Sequence, residues 1–96
     1  MAAWRSAGHL RHHFTRHRRG LRVATIAAYL ASADETILVG TAFEYRDPET
    51  DAPRIGYVDP FTGRFVGLSD DEEQILTHFR CNERYVTRTL PGSTYA

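Results

Sequence analysis

Paired cysteines, lysine and long apolar runs are missing from this sequence, and each absence excludes a class of protein. The single cysteine, Cys81, has no partner for an internal disulfide, so nothing points to an oxidising compartment. The longest apolar stretch, around residues 25–33, is far shorter than the roughly 20 residues that span a bilayer. The basic N-terminal segment is not followed by the apolar region of a secretory signal. We therefore expect a cytoplasmic protein with no membrane partner.

Acidic residues are absent from the first 22 positions, although the whole chain is neutral. That segment holds six arginines, which give it a local charge of +6. Residues 34–73 hold eleven acids against three arginines, a local charge of −8. This separation predicts a basic face for a polyanion and an acidic face that repels a polyanion or meets a basic partner. All twelve basic residues are arginine, which suits phosphate binding, although a GC-rich genome also accounts for a chain without lysine.

The hydrophobic pattern predicts one α+β domain, with a basic helical part at 1–35 and an antiparallel sheet at 36–96. Apolar residues at helical spacing predict a first helix over 3–18, ended by Gly20, and a second helix over 25–34. The sheet is expected to have three to five strands, because the spacing then changes to alternation. The predicted strands are Ile37–Tyr45, Arg54–Val58, Arg64–Leu68, Gln74–Arg80 and a last one within Tyr85–Tyr95.

Two of the predicted strands form a hairpin. In a third strand, alternation determines which side chains lie on the same face of the sheet. Residues 59–63 read Asp-Pro-Phe-Thr-Gly, a turn sequence that joins the two strands between Arg54 and Leu68. In the strand Gln74–Arg80, alternation places Ile75, Thr77 and Phe79 on one face and the residues between them on the other. The two helices are expected to pack on this sheet.

Four of the five histidines lie within nine positions of the first helix. His9, His13 and His17 are four residues apart and therefore share one helical face, with His12 to the side. Three interpretations are open: solvated imidazoles, a metal site that uses histidines at i and i+4, or acid–base chemistry on a phosphodiester. No cysteine pair or nearby carboxylate completes a metal set, so we expect no metal and no cofactor. The ordinary histidine pKa of about 6.5 suits proton transfer near neutrality, and neighbouring arginines lower that pKa and favour a neutral base.

Metal-free cleavage of RNA requires a base for the 2′-hydroxyl proton and an acid for the leaving 5′-oxygen. It also requires cations for the phosphorane and a surface that positions the nucleobase. The candidates for catalysis are His13, His17, Arg54, Thr77 and Arg80. The candidates for substrate binding are His9, Arg16, Arg19, Tyr57, His78 and Tyr85, with Phe61 as a further stacking surface.

Four segments in order give the chain a family resemblance. They are residues 13–17 (HFTRH), 28–33 (AYLASA), 56–65 (GYVDPFTGRF) and 75–80 (ILTHFR). With these segments the chain resembles the small bacterial toxin ribonucleases of the BECR fold group, which includes barnase, the EndoU enzymes, colicin nucleases and RelE. Such toxin domains carry a helix with HFxxH, a tyrosine-alanine helix, a YDPxTGxF hairpin and a late IxTxFR strand. The match covers most of residues 9–80.

The resemblance implies a metal-independent endoribonuclease that cleaves RNA by 2′-hydroxyl attack, either with little sequence preference or directed at tRNA, as the toxin of a bacterial conflict or toxin–antitoxin system. It places His13 or His17 at the acid–base position and Thr77 and Arg80 at the phosphate, with Arg54 as a further cation. It also implies an acidic immunity protein or antitoxin as a partner. Two other functions stay open. One is a non-catalytic nucleic-acid-binding domain that uses the basic first helix, and the other is a regulatory or structural protein whose basic helix complements its acidic sheet.

Overall fold

Two N-terminal helices pack on a five-stranded sheet in the computed structural model, which describes residues 2–95. The elements are β1 (Ala3–Trp4), α1 (Ala7–Leu21), α2 (Ile26–Val39), β2 (Thr41–Arg46), β3 (Pro53–Asp59), β4 (Arg64–Ser69), β5 (Gln74–Arg80) and a π-helical turn (Tyr85–Thr89). The strand order is β1-β5-β4-β3-β2, and all neighbouring strands are antiparallel except the parallel pair β1–β5. The predicted α+β class is confirmed, and the expectation of a purely antiparallel sheet is corrected by this one parallel pair.

The first helix begins later and ends later than predicted. It begins after Ser6, whose hydroxyl accepts a hydrogen bond from the His9 amide at 3.1 Å and so caps the helix. The two residues Ala3–Trp4 pair with β5 instead of starting the helix. Gly20 does not end it, because the chain continues to Leu21 and turns at Arg22, which has a left-handed φ of 58°.

The second helix continues through residues that were expected in a strand. Thr25 caps its start, and Gly40 ends it by donating its N–H to the Thr36 carbonyl at 2.8 Å. The change from helical spacing to alternation near residue 36 predicts a strand that begins at Ile37. Ile37 instead packs from the helix onto the apolar cluster of the sheet, so β2 begins only at Thr41.

A β-bulge in β5 corrects the predicted faces of that strand. Gly67 pairs with Thr77 and Leu68 pairs with Ile75, so Leu76 is an extra residue without a partner on β4. Ile75 therefore lies on the opposite face from Thr77, although simple alternation placed both on the same face.

Each face of the sheet carries its own apolar cluster. On one face α2 covers Val66, Leu68 and Ile75. On the other face the C-terminal segment packs Val86 and Leu90 against an aromatic cluster that contains Phe43, Tyr45 and Phe65. The predicted last strand within Tyr85–Tyr95 is wrong, because this segment forms the π-helical turn, which packs apolar side chains on the sheet face. None of the helices within residues 2–95 is both long and apolar enough to cross a membrane.

Candidate active site

Helix α1 covers the outer edge of β5 and positions the histidine face. β1 pairs only with the start of β5, so the rest of that edge would be open without α1. The His9 side chain donates from Nε2 to the Leu76 carbonyl at 2.8 Å. One turn later His13 meets Thr77, and a further turn later the His17 ring lies 5.2 Å from the Phe79 ring. The helix and strand therefore run side by side in the same direction.

A cleft of about 480 Å³ opens between α1, the aromatic face of the sheet and the loop that follows β2. Six of its lining residues belong to the sets predicted from sequence for catalysis or substrate binding, and four of them are His9, His13, Arg16 and Tyr85. Arg54 and Thr77 line the same cleft from β3 and β5. Residues more than 60 positions apart in the chain thus meet in one place.

His13 is the best candidate for a base in this cleft. Its Nδ1 lies 3.4 Å from the Thr77 hydroxyl oxygen, and its ring stacks near His17 and Trp4. Partial burial lowers the pKa of His13 to about 4, with further lowering by the charges of the neighbouring histidines and Arg16. The side chain is therefore neutral at pH 7. When Nδ1–H donates to Thr77, the unprotonated Nε2 is free to accept a proton.

Thr77 is held in place by the bulge and by the strand opposite. Its partner on β4 is Gly67, where a side chain would overlap both the Tyr45 hydroxyl and the methyl group of Thr77. The missing side chain at Gly67 lets the Tyr45 ring lie across β4 and reach toward Thr77. A glycine in the middle of a strand commonly marks such a close approach.

Tyr45 is a cleft residue that sequence reasoning missed. It lies directly opposite Arg54 in the β2–β3 ladder, and its hydroxyl makes no hydrogen bond to any group in residues 2–95. Burial raises the pKa of Tyr45, and the positive charge of Arg54 opposes that shift. The hydroxyl therefore stays protonated at pH 7 and can donate. The alternation of Phe43 and Tyr45 is typical of core residues. Only the register of the β2–β3 ladder shows that Tyr45 lies beside Arg54.

The loop after β2 forms an acidic rim on the cleft. Asp47 and Glu49 lie on this rim. The Asp47 carboxylate accepts hydrogen bonds from the Thr50 amide and hydroxyl and from the Glu49 amide. Burial by itself would raise the pKa of Asp47. The hydrogen bonds and the positive charge of Arg54 outweigh burial, and the pKa is lowered. The loop therefore keeps a negative charge at one end of the cleft, and the arginines of α1 lie across from it.

Several predicted residues lie outside the cleft. His17 packs against Phe79 behind His13 and does not line it, and partial burial lowers its pKa. Arg19 is exposed near the end of α1. Tyr57 lies on the α2 face of the sheet, where its hydroxyl donates to Glu72 at 2.6 Å. Arg80 lies at the other end of β5, in a separate depression.

His78 lies in the core and not in the cleft. It is completely buried. Its Nδ1–H donates to the Phe65 carbonyl at 2.9 Å, and the Ser32 hydroxyl donates to its Nε2 at 2.9 Å. Burial lowers the pKa of His78 to about 4, so it is a neutral structural link between α2 and the sheet. It has no path to a substrate in the folded protein.

Among residues 2–95 no three histidine, cysteine, aspartate or glutamate side chains are grouped so that they could hold a metal ion. No protein family matches this chain, and neither does any curated protein or solved structure.

Proposed function

We propose that this protein is a metal-independent endoribonuclease that cleaves RNA by attack of the 2′-hydroxyl on the adjacent phosphate. The observation that carries the proposal is the pairing of a neutral His13 with Thr77, 3.4 Å apart, in a cleft that also contains Arg54 and Tyr45. A neutral imidazole, a cation and a hydroxyl donor in one cleft are the groups that this reaction requires. The resemblance to toxin ribonucleases adds partial support. It implied His13 or His17 as the acid–base group and Arg54, Thr77 and Arg80 at the phosphate, and His13, Arg54 and Thr77 line this cleft.

The reaction assigns one task to each of these groups. His13 Nε2 takes the proton of the 2′-hydroxyl as the oxygen forms a bond to phosphorus. Arg54 stabilises the negative charge on the phosphorane. Thr77 is a positioning residue that fixes the ring of His13 through Nδ1.

Tyr45 protonates the departing 5′-oxygen as the phosphorus–oxygen bond breaks. An alkoxide leaving group is a much stronger base than a tyrosinate, so this transfer is downhill even though burial raises the pKa of Tyr45. Arg54 then stabilises the tyrosinate across the ladder, and proton exchange with solvent returns both His13 and Tyr45 to their starting forms. The products are a 2′,3′-cyclic phosphate and a 5′-hydroxyl end.

The proposal is tested by incubating the purified protein with tRNA and with total RNA, in the presence and absence of EDTA. We expect cleavage that EDTA does not change. Thr77→Val should reduce the rate roughly tenfold, because removing one hydrogen bond to the base changes the barrier by about 1.4 kcal/mol. Thr89→Val, an exposed threonine outside the cleft, is the matched control and should cleave at the wild-type rate.

Other outcomes of the same assay contradict the proposal. RNA binding without cleavage would favour the alternative function, a non-catalytic nucleic-acid-binding domain. Cleavage that EDTA abolishes would require a metal and would overturn the reaction as written. Equal cleavage rates for Thr77→Val and Thr89→Val would show that Thr77 does not position the His13 ring for cleavage.

A further inference from the structure

A second basic site lies at the end of the sheet away from the acidic rim. Arg22, Arg64 and Arg80 line a shallow depression of about 260 Å³ together with Phe61. Arg22 follows the end of α1, and the other two arginines come from β4 and β5. The ribonuclease reaction proposed above uses none of these residues.

None of the three arginines makes a close ion pair with an acidic side chain of residues 2–95. Within residues 2–95 the one ion pair closer than 4.0 Å joins Arg46 to Asp51. Arg64 and Arg80 are directly opposite each other in the β4–β5 ladder, where like charges are destabilising. Asp59 lies opposite Arg64 on the other side, but its carboxylate accepts from the Phe61 amide and the Thr62 hydroxyl and is engaged in the turn. Three arginines against this one carboxylate leave the site with a net positive charge.

Phe61 adds an aromatic surface to this charge. Its side chain is 97% exposed at the tip of the β3–β4 hairpin, the most exposed large hydrophobic side chain in residues 2–95. The turn that presents it is braced by hydrogen bonds at 2.8 Å from the Gly63 amide to the Asp59 carbonyl and from the Cys81 amide to the Gly63 carbonyl. An exposed aromatic ring beside arginines suits a nucleobase and its phosphate, because bases stack on aromatic rings without sequence preference.

The site lies near the cleft along β5, although the side chains of Arg80 and Thr77 point to opposite faces of the sheet. Thr77 and Arg80 are three residues apart on β5, which corresponds to about 10 Å. This is about three times the 3.4 Å rise per nucleotide of one strand in a duplex, so a short segment of single-stranded RNA would reach both places. Helix α1 accompanies β5 over this distance and presents exposed arginines.

The positions of two acidic loops also favour an RNA path from the cleft towards Arg64 and Arg80. The loop 47–51 and the loop 70–73 both lie at the end of the sheet where β2 and β4 finish. Arg64 and Arg80 lie at the opposite end. A polyanion that leaves the cleft is repelled by the first end and attracted by the second.

We propose that Arg22, Arg64, Arg80 and Phe61 form a second RNA-binding site, which holds a phosphate and a stacked base of single-stranded RNA a few nucleotides from the cleft. The place of this site along the substrate rests on the proposed ribonuclease function. The binding itself does not, and it can be tested without cleavage.

The test uses a fluorescent 2′-O-methyl RNA of about twelve nucleotides, a length within the range of single-strand sites. This probe has no 2′-hydroxyl and cannot be cleaved by the proposed reaction. Its dissociation constant is measured over a series of salt concentrations for the wild type, the double variant Arg64→Gln/Arg80→Gln, and Phe61→Ala. The control is Arg84→Gln/Arg88→Gln, which removes two exposed arginines outside both sites. Thermal unfolding of each variant is recorded in parallel.

We expect the Arg64/Arg80 double variant to bind at least about tenfold more weakly, because each arginine supplies a charge-assisted hydrogen bond to phosphate. Its salt slope should fall by about 0.7 for each phosphate that an arginine no longer neutralises. Its melting temperature should not fall, since a repulsive pair has been removed. Phe61→Ala should weaken binding and leave the salt slope unchanged, because stacking releases no counterions.

Wild-type affinity and slope in the Arg64/Arg80 variant would overturn the inference, whether or not the protein cleaves RNA. An equally weakened Arg84/Arg88 control would also overturn it, because binding would then depend on total charge. Weakened binding in the Arg64/Arg80 variant of a protein that cuts no RNA would support the second site and reject the ribonuclease proposal.

Discussion

Replacing His13 by glutamine is expected to slow RNA cleavage by about 10²–10⁴-fold, the usual effect of removing a general base. Glutamine keeps a hydrogen-bonding group near Thr77 but cannot take a proton at neutral pH. The free energy of unfolding should change by no more than about 1 kcal/mol, since His13 is half-buried. His12→Gln changes an exposed histidine that also lines the cleft but makes no hydrogen bond to Thr77, and it should have less than a tenfold effect. Single-turnover cleavage rates, measured with the melting temperature of each variant, separate loss of chemistry from loss of fold.

The pH dependence of the wild type provides a second readout for His13. A base must be deprotonated to act, and the pKa of His13 is lowered to about 4 by burial and neighbouring charge. The value of kcat/KM at pH 5.5 should therefore be close to that at pH 7. An unperturbed histidine base with a pKa of about 6.5 would lose nearly tenfold over this interval. A tenfold loss, or a His13→Gln variant with wild-type rate, would show that His13 is not the base.

The buried histidine is expected to control the acid stability of the protein. The pKa of His78 is about 4 in the folded state and about 6.5 in an unfolded chain. Above pH 6.5 the imidazole is neutral in both states, and its full contribution to stability is present. As the pH falls from 6.5 to 4, the unfolded chain takes up a proton that the folded protein excludes. The free energy of unfolding should therefore drop by about 3 kcal/mol over this range from His78 alone.

The measurement is urea unfolding of the wild type and of His78→Gln at several pH values between 4 and 7. Glutamine retains a donor and an acceptor for Phe65 and Ser32 and does not titrate, so the variant should be less stable at pH 7 but should show a flatter pH dependence. His78→Ala leaves a cavity and removes both hydrogen bonds, and it should lose about 3 kcal/mol or more at pH 7. Parallel pH curves for the wild type and His78→Gln would show that His78 does not carry the acid sensitivity.

Much of the fold follows from the local pattern of the sequence. The predictions that were wrong failed because contacts between distant segments decide the structure there. The hairpin between Arg54 and Leu68 was predictable, because a turn with proline and glycine separates two alternating segments. The bulge at Leu76 was not, because an extra residue in one strand is defined only by its partner strand. The extension of α2 through Ile37 reflects packing on the sheet, which overrides the β propensity of the Ile-Leu-Val run there.

Strand alternation could have removed two residues from the predicted site. Residues three apart in a regular strand point to opposite faces, so Arg80 cannot share a cleft with Thr77, and Tyr57 cannot share one with Arg54. The pairing of Thr77 with His13 could not be derived from spacing, because it depends on α1 covering the edge of β5. Tyr45 alternates with Phe43 as a core residue does, and its ring is buried, so strand alternation alone does not indicate that its hydroxyl reaches the cleft.

The most direct test of the account uses an RNA oligonucleotide that is 2′-O-methylated at every position except one. The wild-type protein is incubated with it in EDTA, and the ends of the products are identified by mass spectrometry. We expect a single cut after the one unmodified ribose, with a 2′,3′-cyclic phosphate on one product and a 5′-hydroxyl on the other. Cuts at methylated positions, or products with a 3′-hydroxyl and a 5′-phosphate, would contradict the proposed 2′-hydroxyl attack.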